Sequence, residues 1–246
     1  LKGWLFAATS GIALAAGAAN AQTDPIPPER YTLDERGVDL ISGKWMPVAG
    51  GTSIGPADTG LSYSQIQLEN GIWWDPAVGG IALCGIGIDC VVTVDGYSEV
   101  FSPGVYQSGQ VTYAPKENTG SSLVENVSTG QFTYTRSDGT AFVMERKGHH
   151  TLPDGVVTRR TAPNGLVTTY AYRTQNATTC NDPDPELEFP GGGQPICITM
   201  EFGRLQSYQT NTGYMVHYDY ASDTDPTDAG WSSVTKVTAL NLAIDY

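Results

Sequence analysis

Basic residues are scarce in this sequence. Its 246 residues include 13 lysines and arginines against 26 aspartates and glutamates, which gives a formal net charge of −13. A surface of this sign repels phosphate backbones and anionic lipid headgroups. Nucleic acid is therefore excluded as an expected partner, and the acidity indicates either simple solubility or a use such as cation binding.

Histidine is also rare, and no nucleophile motif accompanies it. His149 and His150 lie near Asp154, but adjacent side chains in a loop or strand diverge, and no G-x-S-x-G or comparable cysteine motif is present. Carboxylate pairs of the glycosidase kind are defined by a separation in space that a sequence does not supply. We expect no catalytic and no cofactor-binding residue and hence no enzyme, with a glycan-active enzyme as the catalytic alternative.

Two acidic segments place oxygen atoms at the intervals used by calcium loops. They are Asp182, Asp184 and Glu186, and Asp223, Asp225 and Asp228. Neither has the glycine and terminal glutamate of an EF-hand loop, and prolines interrupt both. We interpret both as solvated loops and predict no metal site.

No apolar run long enough to span a membrane follows residue 21. Before it, Lys2 supplies a positive n-region, residues 4–16 an apolar h-region, and Ala19-Asn20-Ala21 the small-x-small pattern that signal peptidase accepts. We expect a Sec-type signal peptide over residues 1–21, cleaved between Ala21 and Gln22, because the run is short for a transmembrane anchor. The mature protein is then exported to the periplasm, the cell surface or the extracellular space, without a membrane span.

The sequence has only four cysteines, and an even number is expected in an exported chain with disulfides. Four cysteines allow three pairings, of which the two local ones, Cys84–Cys90 and Cys180–Cys197, are the most economical. A zinc site would need closer cysteine spacing or nearby histidines, and neither is present.

Glycine, proline and tyrosine are abundant, with 29, 15 and 13 residues. Glycine and proline favour turns, and tyrosine, valine and threonine favour short strands between them. We therefore predict an all-β protein of antiparallel hairpins. A proline-rich linker over residues 22–30 precedes a β leader domain over 31–126 with irregular strand spacing. Within it we expect loops at 50–63 and 102–126, with strands at 61–68, 97–101 and 111–113. In the apolar segment 81–94 we expect a buried strand that turns through a disulfide-closed loop and returns over 91–94.

Trp73 and Trp74 follow Asn70-Gly71 and are predicted to form the return strand of a hairpin. Aromatic faces stack on sugar rings, so this pair is a candidate ligand-stacking site. Neighbouring side chains in a strand point to opposite faces, so one tryptophan is expected in the core and the other could be exposed.

Hairpin patterns become regular in residues 127–246. Alternating runs flank Ser137-Asp138-Gly139, Pro163-Asn164-Gly165 and Asn211-Thr212-Gly213. Asn-Gly favours a type I′ turn because both residues tolerate positive φ. Single hairpins are marginally stable, so we expect successive ones to pair into one continuous sheet. A Pro-, Gly- and Asp-rich insertion is expected at 176–195, and residues 234–246 are predicted to be a strand.

Several segments in this region resemble the repeats of the RHS or YD-repeat proteins. They are Pro163-Asn164-Gly165-Leu166, Thr169-Tyr170-Ala171-Tyr172, Phe202-Gly203-Arg204-Leu205, Asn211-Thr212-Gly213-Tyr214 and Tyr218-Asp219-Tyr220. The segment 32–40 is also similar to the leader of large exported RHS proteins of Gram-negative bacteria. Tyr218-Asp219 is not followed by Gly-Arg-Leu, so the repeats are degenerate.

The resemblance implies an extended, curved β-strip that spirals into a hollow shell around a C-terminal effector. This chain would be the N-terminal part of such a protein, with repeats continuing beyond residue 246, and would enclose or display its own C-terminal shell and effector without catalysis. The alternative is a free-standing secreted β-domain that binds glycan or another cell-surface partner through Trp73, Trp74 or tyrosine-rich hairpin faces.

Overall fold

A computed structural model of the chain describes residues 38, 43–45, 47–67, 73–77, 79–82, 84, 88–146, 152–181 and 196–242. In these residues the protein is all-β and antiparallel, as the composition predicts, and its one helical element is the 3-10 turn Ala229–Trp231. The predicted signal peptide, its cleavage position between Ala21 and Gln22, and the linker over 22–30 lie outside the described residues.

Three strands form a small sheet in the order β1 (Val48–Ile54), β2 (Leu61–Gln67) and β3 (Trp73–Trp74). β2 and β3 pair antiparallel, which confirms the predicted strand and its return. The loop predicted over residues 50–63 is wrong in its first part, because β1 extends to Ile54. β1 has a bulge between Ala49 and Thr52, where two glycines lie, and these glycines hide the alternating pattern of a strand.

The other strands form one sheet of thirteen. In chain order they are β4 (Gly80–Ala82), β5 (Cys90–Val94), β6 (Tyr97–Phe101), β7 (Val105–Gln107), β8 (Gln110–Tyr113), β9 (Ser122–Asn126), β10 (Gln131–Thr135), β11 (Ala141–Arg146), β12 (Gly155–Thr161), β13 (Val167–Asn181), β14 (Ile196–Thr210), β15 (Tyr214–Tyr220) and β16 (Val234–Asn241). From β7 to β16 each strand pairs with the next, whereas β4 pairs with β12 and carries β5 and β6 as a side branch. The predicted continuous sheet of successive hairpins is therefore present.

The segment 102–126 contains more strand than predicted. β8 confirms the strand expected at 111–113, but β7 and β9 flank it. β9 was missed because one of its two buried positions is Glu125, whose carboxylate accepts a hydrogen bond from the Tyr113 hydroxyl at 2.6 Å. β9 and β10 pair across residue 127, so the large sheet contains strands from both sides of the boundary predicted there.

The three predicted hairpin turns share one geometry. Gly139, Gly165 and Gly213 have φ values of 86°, 84° and 94°, and each amide donates to the carbonyl three residues earlier. Asn164 has no positive φ, so the type I′ turn predicted there is wrong: Pro163-Asn164-Gly165 is a three-residue loop in which only the last residue is left-handed. The paired positive φ of a type I′ turn occurs instead at Asp95-Gly96 and Ser108-Gly109.

β13 and β14 form a long two-stranded ribbon with fifteen residues in each strand. The predicted insertion therefore starts later than residue 176, because β13 continues to Asn181. β14 is one continuous strand, and its register against β13 shifts after Ala171, which leaves Gln206 unpaired as a bulge. Cys180 lies opposite Cys197 near the end of the ribbon.

Both predicted disulfides, Cys84–Cys90 and Cys180–Cys197, are formed. The first joins β5 to the residues just after β4, so it closes the hairpin that the sequence predicts in the apolar segment 81–94. Disulfides are typical of proteins that fold in oxidising compartments.

Two apolar clusters lie on the large sheet. One packs aromatic residues of β6, β8, β10 and β11 against β4 and β5, and the other packs Leu205, Tyr208, Val216 and Tyr218 against the small sheet. Tyr170 contacts both clusters. The β12–β13 hairpin thus stands where the two cores and the small sheet meet.

Candidate functional site

The residues of the repeat-like motifs meet on β14 and β15. Arg204 is 4% exposed, and its guanidinium lies between the rings of Tyr220 and Trp231, at 4.0 Å from each centroid. Leu205 and Tyr218 are buried beside it, and the Tyr220 hydroxyl donates a hydrogen bond to the Leu205 carbonyl. The motif residues therefore pack neighbouring strands together.

Arg204 also anchors the loop between β15 and β16. Its Nη1 donates to the carbonyls of Ser222 and Trp231, both at 2.7 Å, and its Nη2 pairs with Asp223. Arg173 on β13 reaches the same loop, with its Nη1 3.1 Å from Asp223. A planar guanidinium presents several donors in fixed directions, which suits it to hold a loop of carbonyls.

The acidic residues of this loop serve its own turns. Asp225 accepts from the Thr227 amide at 2.9 Å and hydroxyl at 2.6 Å, and these hydrogen bonds lower the pKa of Asp225. Asp228 caps the 3-10 turn by accepting from the Gly230 amide at 2.7 Å. Over the described residues, no group of three His, Cys, Asp or Glu side chains is arranged to hold a metal ion.

Six tyrosines form a tyrosine cluster between the two sheets: Tyr63 of β2, Tyr170 and Tyr172 of β13, Tyr208 of β14, and Tyr218 and Tyr220 of β15. Ring centroids are 5.8 Å apart for Tyr170 and Tyr208, 6.1 Å for Tyr208 and Tyr218, and 5.7 Å for Tyr63 and Tyr218. These are favourable distances for aromatic pairs. Burial raises the pKa of each of these tyrosines, so the cluster is neutral at physiological pH.

Asp75, the residue after β3, supplies the carboxylate at this cluster. The Tyr218 hydroxyl donates to Asp75 Oδ2 at 2.6 Å, and the Ala77 amide donates to Oδ1 at 2.8 Å. Burial raises the pKa of Asp75, while these two hydrogen bonds act in the opposite direction. The small sheet is thus fixed to the large one by the half-buried carboxylate of Asp75, together with a hydrogen bond of 2.7 Å from the Tyr208 hydroxyl to the Ser62 carbonyl.

A cleft of about 680 Å³ opens next to Asp75. One wall comes from residues 57–64 and 75–77 of the small sheet, and the other from the β12–β13 hairpin, with Asp75, Tyr170 and Tyr208 among the lining residues. Its volume is in the range of small-molecule sites. This cleft is the candidate site of the protein.

An ion pair stands in the wall of the cleft. Asp95, at the β5–β6 turn, lies 3.1 Å from Arg160 Nε and 3.5 Å from Arg136 Nη1, and both Asp95 and Arg160 line the cleft. The carboxylate of Asp95 is therefore neutralised by two arginines, in contrast to Asp75.

The residues singled out in the sequence are not brought together here. Trp73 and Trp74 lie on β3, directly before Asp75, but their side chains lie outside the described part of the structure. His149, His150 and the acidic segment 182–186 also lie outside it. Asp154 lies between β11 and β12 and does not line the cleft.

Sequence reasoning missed Asp75, Tyr208 and Arg160 as site residues. The one local signal is Asp75-Pro76 at the end of a predicted strand, where an aspartate accepts a hydrogen bond from the amide two residues later, as Asp75 does from Ala77. The pattern predicts a turn but does not indicate burial.

No protein-family model matches this chain, and no curated protein resembles it significantly. Within the described residues, no helix has the length and apolar character needed to cross a membrane.

Proposed function

We propose that this chain is a non-catalytic structural segment of an exported RHS-type protein, in which it contributes to a β-strip that encloses or presents a C-terminal effector. The single observation that carries the proposal is the run from β7 to β16, in which every strand pairs with its successor in the chain. A strip built in this way grows by adding hairpins at one edge, as a shell wall requires.

The packing of the motif residues supports this role. Tyr218 and Tyr220 connect β15 to β14, and Arg204 fixes the following loop over the sheet. Each hairpin gains its stability from its neighbour, since isolated hairpins are marginal in water. Residues of this kind are expected in a structural repeat whose function is to continue the sheet.

Buried carboxylates elsewhere in the sheet also serve strand packing. Glu99 is 2% exposed and accepts from the Tyr134 hydroxyl at 2.7 Å and the Ser121 hydroxyl at 2.6 Å. Glu125 accepts from Tyr113 and pairs with Arg146 at 3.2 Å. These contacts connect strands from different hairpins, which suits a rigid wall.

Export by the Sec route, to the periplasm, the cell surface or the medium, is part of the same proposal. The two disulfides support it, because such bonds persist in oxidising compartments. The partners proposed are the shell and effector of the same polypeptide.

The reading frame that contains this chain tests the proposal. We expect the frame to continue past Tyr246 into further hairpin repeats and a variable terminal domain. Cryo-electron microscopy of the whole product should then show β16 paired with the next strand in the wall of a shell. A stop codon directly after Tyr246, or a product in which β16 has no neighbour, would overturn the proposal.

A further inference from the structure

Asp75 carries an uncompensated negative charge in a sheltered place. Among the described residues no lysine, arginine or histidine forms an ion pair with it, and its hydrogen bonds come from one phenol and one amide. Proteins bury ionised carboxylates reluctantly unless a counter-ion is present. The cleft beside Asp75 therefore has room for a positive charge at the point where the protein provides none.

Tyrosine rings surround this carboxylate. The Tyr218 hydroxyl contacts Asp75 directly, and the other tyrosines pack in the same cluster. Burial raises the pKa of Tyr63, Tyr208 and Tyr218, and the charge of Asp75 adds to each of these shifts. The faces of such rings attract cations, and aromatic cages with a nearby carboxylate suit alkylammonium groups. Tyr170 and Tyr208 line the cleft together with Asp75.

The other charges of the cleft agree with a cationic ligand. Three aspartates, Asp58, Asp75 and Asp95, and one arginine, Arg160, lie in its lining. Arg160 is paired with Asp95 and offsets one of the three aspartates, so the lining keeps a formal charge of −2; Arg136, which also contacts Asp95, does not line the cleft. The whole chain carries a net charge of −13, which favours the approach of cations from solution.

We infer that the cleft between the two sheets binds a small organic cation, an alkylammonium group, with Asp75 as its counter-ion and the ring of Tyr170, backed by that of Tyr208, as its aromatic wall. An organic cation fits better than a metal ion, because the donors near Asp75 are phenols and no metal-like cluster occurs among the described residues. This inference goes beyond the proposed shell role and does not depend on it.

Titration calorimetry on the full chain tests the inference with matched probes. Choline and n-butylammonium supply the cation, and 3,3-dimethylbutan-1-ol and n-butanol are their neutral counterparts of the same heavy-atom shape. We expect at least one cation to bind saturably at millimolar concentration, and its neutral counterpart to bind about tenfold more weakly or not at all, since the neutral molecule lacks both the cation–π attraction and the attraction to Asp75. Equal affinity for cation and neutral counterpart, or no binding of either cation, would overturn the inference.

Substitutions locate the site. Asp75→Asn keeps the shape of the side chain and removes its charge, and we expect it to weaken cation binding by about tenfold or more, because the bound cation loses its counter-ion in a sheltered cleft. Asp95→Asn is the matched control: it removes one charge from the same cleft, but from a carboxylate already paired with two arginines. It should change the affinity by less than about threefold.

A second pair of variants keeps the test decisive if Asp75→Asn folds poorly. Tyr170→Phe retains the aromatic face and should bind the cation within about threefold of the wild type, whereas Tyr170→Leu should lose about tenfold. Loss in both variants or in neither would contradict the assigned role of the ring. Binding of a neutral sugar such as methyl glucoside, with no binding of the cations, would identify the cleft as a glycan site and overturn the cation assignment.

Discussion

Arg204→Ala is expected to destabilise the protein far more than Arg173→Ala, although both arginines contact the β15–β16 loop and the same Asp223. The side chain of Arg204 is 4% exposed and donates to two backbone carbonyls, whereas that of Arg173 is 40% exposed. Truncation of Arg204 therefore leaves the buried carbonyl of Trp231 and the half-buried carbonyl of Ser222 without this donor, whereas truncation of Arg173 exposes groups that water can reach.

The size of the effect follows from these contacts. Two hydrogen bonds from a charged donor contribute about 1.5–3 kcal/mol each, and stacking on Tyr220 and Trp231 adds about 1 kcal/mol. The ion pair with Asp223 adds little, since that side chain is 61% exposed. Because neighbouring terms are not additive, we expect a loss of about 4 kcal/mol for Arg204→Ala and less than about 1 kcal/mol for Arg173→Ala. Arg204→Lys keeps the charge but loses the planar fork, so its loss should be intermediate.

Urea unfolding followed by tryptophan fluorescence measures these differences. Trp231 is 1% exposed and contacts Arg204, so its emission reports on the loop as well as on global unfolding. Equal shifts of the urea midpoint for Arg204→Ala and Arg173→Ala would refute the reasoning. The loop would then be held by the ion pairs of both arginines with Asp223, and not by the hydrogen bonds of the buried Arg204 guanidinium. A midpoint for Arg204→Lys equal to that of the wild type would refute it as well.

Two further substitutions are informative. Burial raises the pKa of Asp75, so its carboxyl group binds a proton more tightly in the folded state than in the unfolded state. The stability that this proton contributes is lost as pH rises from about 3.9, the pKa in the unfolded state, through the higher pKa in the folded state. The facing tyrosines stay neutral in this range, so the urea midpoint of Asp75→Asn relative to wild type should be higher at pH 7 than at pH 4, and a difference that is constant with pH would contradict this. Gly165→Ala meets no atom within 4 Å of its new Cβ, yet Gly165 has a φ of 84°. We therefore expect Gly165→Ala to lose about 1 kcal/mol of stability through backbone strain alone, and Gly165→Asn to lose less. An unchanged urea midpoint for Gly165→Ala would contradict this.

The hairpins could be predicted because their signals are local. Glycine at the end of a three-residue loop, flanked by alternating residues, is sufficient to place Gly139, Gly165 and Gly213. The turn type at Asn164 was wrong because the Asn-Gly pair favours a two-residue loop only when the strands on both sides pair directly up to it. Here Ala162 and Leu166 form the last pair, and proline occupies the first loop position.

The missed strands and the cleft could not be predicted for another reason. β1 contains two glycines at a bulge, and β9 buries a glutamate that finds its partner on β8, so neither strand displays an alternating apolar pattern. The hydrogen bond between Tyr218 and Asp75 joins residues 143 positions apart. No periodicity or turn signal connects such residues, so the docking of the small sheet, and with it the site, needs the folded chain.

Asp75 places a charged side chain in a sheltered, aromatic environment, and residues that do not suit their local environment tend to be functional. Its carboxylate accepts one hydrogen bond on each oxygen from neutral donors, and among the described residues no basic side chain pairs with its charge. A bound cation would compensate this charge, and a ligand that binds only the folded state stabilises that state by mass action. Saturating choline or n-butylammonium, whichever binds, should therefore raise the urea midpoint of the wild type at pH 7 and leave that of Asp75→Asn nearly unchanged. If both midpoints rise equally, the cation binds elsewhere, and the half-buried charge of Asp75 only lowers the stability of the contact between the two sheets.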